Sequence, residues 1–93
     1  MTIYNEESRA KVYEQFPEKS REQKREGGTI ENWSLVSFYG EETRMVVVGT
    51  LYGDSYWGSG GPIRTSLILS INEDETEAET LNTIYKLGVK AST

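Results

Sequence analysis

The sequence predicts an α+β domain, in which an N-terminal helix leads into a four-stranded antiparallel β-meander. Two observations predict it. Apolar residues recur at helical spacing before Gly27-Gly28 and at strand spacing after it, and most of the links between the later apolar runs are short. Residues 1–28 accordingly read as a charged helical segment and linker, and residues 29–93 as the β domain.

The helix signal begins at Asn5, an N-cap acceptor followed by Glu6 and Glu7 at the positive end of the dipole. Ala10, Tyr13 and Phe16 fall three apart and Val12 pairs with Phe16, giving a narrow apolar stripe that Pro17 interrupts. From Glu18 to Glu26 no residue is apolar. This stretch reads as a solvated helix or a linker, and Gly27-Gly28 as its C-cap or hinge.

The four β runs are approximately Ile30–Tyr39, Arg44–Tyr52, Ile63–Asn72 and Ala78–Leu87, each rich in β-branched and aromatic residues. Gly40–Thr43 and Glu73–Glu77 are hairpin-length links, which make sequential strands antiparallel; Gly53–Pro62 is longer and glycine-rich.

Alternation along these runs gives two apolar faces. Odd positions collect Trp33, Leu35, Met45, Val47, Leu51, Ile63, Leu67, Leu69, Ile71, Leu81, Tyr85 and Leu87, a core face; even positions collect Val36, Phe38, Val46, Val48, Ile68 and Ile84. The N-terminal stripe supplies cover for one face. The second face is expected to meet another chain, as a homodimer or on a target, or else to be shielded by the N-terminal segment around a curled sheet.

Composition excludes much chemistry. Without cysteine there is no disulfide, thiolate nucleophile or Cys-ligated metal, and without histidine there is no Ser-His triad and no ordinary general base near neutral pH. Neither catalysis, a cofactor nor a metal is expected. Residues 29–93 carry four Lys/Arg against nine Asp/Glu, the whole of the net charge of −5, and such a surface repels a phosphate backbone, so no nucleic-acid partner is expected there. No apolar run approaches membrane-spanning length and the N-terminus lacks a signal-peptide layout, so no membrane contact and a cytoplasmic location are expected.

The segment from Gly53 to Pro62 is the most distinctive. Its Gly53-Asp54-Ser55 start has the look of a hydrolase nucleophile block but lacks the histidine such a serine needs, and its glycines lack the Lys-Ser/Thr ending of a phosphate loop. Asp54, Tyr56 and Trp57 are candidate partner-binding residues, because large aromatics at a loop tip have little core to enter. Arg64, Thr65 and Ser66, with Asn82 and Thr83 on the next strand, form a candidate ligand-binding set. One cation with hydroxyls and an amide suits a phosphate, ribose or carboxylate better than a metal. The acids from Glu73 to Glu79 lack calcium-loop spacing and read as a solvated turn.

Three strings, Val48-Gly49-Thr50-Leu51-Tyr52-Gly53-Asp54, Pro62-Ile63-Arg64-Thr65-Ser66 and Thr80-Leu81-Asn82-Thr83-Ile84-Tyr85-Lys86-Leu87-Gly88, resemble those of small uncharacterised phage and prophage proteins over roughly residues 33–88. The resemblance implies a phage-encoded, non-enzymatic inhibitor of a host defence system, similar to anti-CRISPR proteins, acting on a host protein in the bacterial cytosol. The alternatives are a protein that sequesters a small ligand or nucleotide signal, and a phage structural or assembly protein.

Overall fold

The computed structural model describes residues 3–4, 10, 13–38 and 41–91, with the side chains of residues 3, 4, 38 and 41–44 outside that set. Among the described residues, seven strands form one mixed sheet: β1 (Ile3–Tyr4), β2 (Arg25–Phe38), β3 (Glu41–Tyr52), β4 (Gly61–Arg64), β5 (Ser70–Ile71), β6 (Glu77–Glu79) and β7 (Thr83–Leu87). Their order across the sheet is β1-β5-β6-β7-β2-β3-β4.

This is a mostly β fold, and it corrects the expected α+β class with its N-terminal helix and four-stranded meander. Helical backbone is confined, among the described residues, to residues 10 and 13–15 and a 3-10 turn at Arg21–Gln23. The expected N-cap Asn5 and stripe residue Val12 lie outside the described residues. The strands are not all sequential neighbours, because β7 returns to lie parallel to β2, with Arg25 opposite Thr83 and Ile30 opposite Leu87.

Two local features account for the difference. The run expected as Ala78–Leu87 is broken at Thr80, whose hydroxyl donates to the Thr83 carbonyl and accepts the Thr83 N–H, so a threonine folds the chain back without glycine or proline. The run expected as Ile63–Asn72 divides into β4 and β5 at Thr65, whose hydroxyl accepts the Val47 N–H. Residues 65–69 then bond to both flanks, with Ile68 N–H donating to Met45 O on β3 and Leu69 N–H to Glu79 O on β6. That segment draws β3 and β6 together and curls the sheet around one core.

The core contains Ile30, Trp33, Val47, Leu51, Ile68, Ile71, Ala78, Tyr85 and Leu87. Ile30 and Trp33 both point inward although three positions apart, since a β-bulge centred on Asn32 (φ 53°) inserts one residue and inverts the alternation of β2. Gly49 faces that bulge; a Cβ there would stand 2.7 Å from Ile30 Cγ2 and 2.8 Å from Glu31 O. Gly27 and Gly28, expected as a cap or hinge, are strand residues of β2. A side chain on Gly28 would collide with the Tyr52 carbonyl and the Asp54 backbone.

The charged stretch 18–26 is tied to the sheet and is not a free linker. Lys24 is buried, and its ammonium donates to Glu79 Oε2 at 2.5 Å, to Thr80 O at 2.9 Å and to Tyr13 Oη at 3.4 Å. Arg21 forks onto both Glu77 oxygens at 2.8 and 3.0 Å, and Lys19 donates to Asn82 Oδ1 at 2.6 Å. Glu79 and its cross-strand partner Ile84 share the outer face of the sheet. Residues 13–24 therefore cover the outer face at β6 and β7, where Ile84 is buried.

Candidate functional site

The site is built around one carboxylate. Asp54 follows Gly53, whose φ of 66° turns the chain out of β3. Its backbone pairs both ways with Gly58, at 2.9 and 3.0 Å, to make a closed five-residue loop. The side chain turns inward and is fully buried. Oδ1 accepts from the Tyr56 and Trp57 N–H groups, each at 2.8 Å, and from Arg25 Nη1 at 2.7 Å, while Oδ2 accepts the Gly28 N–H at 2.9 Å. Burial alone would push this carboxyl up; Arg25 and the three backbone donors more than offset it and hold Asp54 well below the usual carboxylate range.

Asp54, expected as a partner contact, is buried under its own loop. It fixes the loop tip, leaving Tyr56 and Trp57 exposed at 71% and 65% but not loosely hung. Their rings meet edge to face, with centroids 4.6 Å apart and planes at 80°. Arg25 lies with its guanidinium carbon 5.6 Å from the Tyr56 centroid, a cation–π distance.

These residues form one wall of a cleft of about 680 Å³. A second wall is Pro62–Ser66, with Arg64 and Ser66 exposed, and a third is the β6–β7 turn with Thr80, Asn82 and Thr83; Leu51 and Tyr85 also line it. The structure therefore brings Tyr56 and Trp57 together with Arg64, Thr65, Ser66 and Asn82, two sets that sequence reasoning held apart. The volume lies within the range of small-molecule sites, about 300–1,000 Å³.

The lining is rich in donors. Two arginines face the cleft and no Asp or Glu lines it, in a chain of net charge −5. Arg64 forms no ion pair among the described residues, whereas Arg25 is paired with Asp54 and lies beside Tyr85. Asn82 turns its amide oxygen to Lys19, which leaves the NH₂ as its remaining donor group. The Thr65 and Thr80 hydroxyls are already engaged with the backbone and serve the fold.

Sequence reasoning missed Arg25 and Tyr85 as site residues. Arg25 sits in a run of charges that resembles a solvated segment, and only the parallel pairing of β2 with β7 carries it to the cleft. Its one signal was Asp54, an acid inside a glycine-rich aromatic loop. The expected sheet-face interface is not assembled. Ile68 belongs to the core, Val46 is 4% exposed and Val48 is half-buried, so of the predicted set only Val36, 42% exposed, is open among the described side chains; that of Phe38 lies outside them.

Among the described residues no cluster of three or more carboxylates could hold a metal ion, and no helix is long and apolar enough to cross a membrane. No protein-family model, curated protein or solved structure matches this chain.

Proposed function

We propose that this chain is a non-enzymatic binding protein, and that its cleft captures a small molecule bearing a phosphate or carboxylate group. The observation that carries the reading is Arg64, exposed on the cleft wall without an ion pair among the described residues, in a lining that holds no acid; the charge of Arg25 is balanced by Asp54 behind it. An exposed arginine without an ion pair offers a planar fork of donors to a phosphate or carboxylate oxygen. The lining holds hydroxyls, an amide and guanidinium groups but no histidine, cysteine or carboxylate, which supports binding without turnover. The resemblance to small phage proteins adds a setting, sequestration of a host signal in the bacterial cytosol, on which the binding chemistry does not depend.

Thermal melting in the presence of phosphate esters, carboxylates and their neutral analogues tests this. A ligand at 100 times its dissociation constant adds about 2.7 kcal/mol. Anionic compounds are expected to raise Tm in the wild type and to lose that effect in Arg64→Ala; equal response to the neutral analogues would remove the reading.

A second reading, inhibition of a host protein, is favoured by the exposure of Tyr56 and Trp57, which suits a protein hot spot as well as a ligand wall. It predicts a bacterial protein retained by the wild type and lost with the Tyr56→Ala/Trp57→Ala double variant. Identical retention by both would sink it.

A further inference from the structure

Resting on the anion-binding reading, we propose that the ligand is a free nucleoside phosphate, with its phosphate at Arg64 and its base on the Tyr56–Trp57 corner. A bare anion would use only the cationic part of the cleft. The lining also includes Leu51, Pro62, Ile63 and the two exposed aromatic rings, a surface that suits a planar, largely apolar group.

The rings are prepared for such a group. Two planes at 80° form a corner in which a base can lie flat on one ring with its edge against the other. Asp54 holds both backbone N–H groups of the pair, and Ser59 Oγ accepts the Gly53 N–H at 3.0 Å, so the corner is ordered before anything binds. Stability does not require this, because neither ring is buried. The polar lining is also suitable: Asn82 and Ser66 are exposed residues of the cleft wall whose amide and hydroxyl can pair with sugar hydroxyls. The chain's net charge of −5 favours a single nucleotide over a strand, since each further phosphate adds repulsion.

Calorimetric titration of the full chain with adenosine 5′-monophosphate, uridine 5′-monophosphate, ribose 5-phosphate, adenosine and a five-residue oligothymidylate tests the proposal. Stacking of one base is expected to make a nucleotide bind roughly 5- to 150-fold tighter than ribose 5-phosphate. Trp57→Ala is expected to close that gap while leaving ribose 5-phosphate binding unchanged, and Trp57→Phe to keep most of it. Equal affinity for the nucleotides and ribose 5-phosphate would overturn the nucleotide assignment and leave anion capture standing. Adenosine binding as tightly as its monophosphate would overturn both. Tighter binding of the oligonucleotide would overturn the free nucleotide in favour of a strand.

Discussion

Asp54 and Arg25, 29 positions apart in sequence, meet at 2.7 Å between Oδ1 and Nη1, and that contact joins the loop after β3 to the first residue of β2. It is the knot of the loop, and Arg25 alone of the pair lines the cleft. The Asp54 side chain is fully buried and that of Arg25 is 28% exposed, so the pair is neither a surface ion pair nor a dry one.

Asp54→Asn keeps an acceptor for part of the loop but removes the charge opposite Arg25. A loss of about 2–3 kcal/mol is expected, below the roughly 3–5 of a fully buried pair because Arg25 retains water. Urea unfolding at pH 7 measures it, and an unchanged midpoint would show that the loop is held by its backbone bonds alone.

The pH dependence follows from the same carboxylate, with Glu77 contributing less. Arg21 holds Glu77 below its ordinary value against the opposing effect of burial, but that pair is half in solvent. In the unfolded chain these groups take up protons near the ordinary values, about 3.9 for Asp and 4.3 for Glu, whereas the native chain resists until lower pH. The unfolded state therefore binds more protons as pH falls, so the stabilisation is complete above about pH 5 and declines below it. Urea midpoints from pH 7 to pH 2.5 should fall more steeply in wild type than in Asp54→Asn; parallel curves would contradict the assignment.

Gly49→Ala should lose at least about 1–3 kcal/mol, because the added methyl meets Ile30 Cγ2 and Glu31 O where the Asn32 bulge brings β2 close. In contrast, Asn32→Gly should be nearly neutral and Asn32→Val should lose about 1–2 kcal/mol, since φ of 53° excludes a β-branched residue. Denaturant titration of the three variants gives the order directly.

Lys24→Ala leaves Glu79 without the ammonium that anchors residues 13–24 over the outer face, and a loss of about 2–4 kcal/mol is expected. A double-mutant cycle with Glu79→Ala should give a coupling of about 1 kcal/mol or more. Additive effects would show that the lysine acts through Thr80 O and Tyr13 instead.

The strands were legible where alternation runs unbroken. Val47, Leu51, Tyr85 and Leu87 were placed on the core face by parity alone, and they are core. Parity failed where one residue alters the count: Asn32 inserts a bulge, and Thr65 releases the chain from β4, so that Ile68, an even position, turns into the core. The segment 18–26 was read as solvated because a buried lysine and a surface lysine are the same letter. Only the positions of Glu79, Thr80 and Tyr13 distinguish Lys24 from its neighbours.

By itself the sequence determined the chemistry present: no histidine or cysteine, a β-rich chain after Gly28, an aromatic loop, and an Arg-Thr-Ser triplet and Asn82 in the later strands. Only the tertiary structure decided that these belong to one cleft, and that Arg25 and Tyr85 complete it. The physical reason is that convergence depends on the parallel return of β7 beside β2 and on residues 65–69 bonding to β3 and β6. Those pairings are made by backbone groups that every sequence carries alike, so no side-chain pattern announces them.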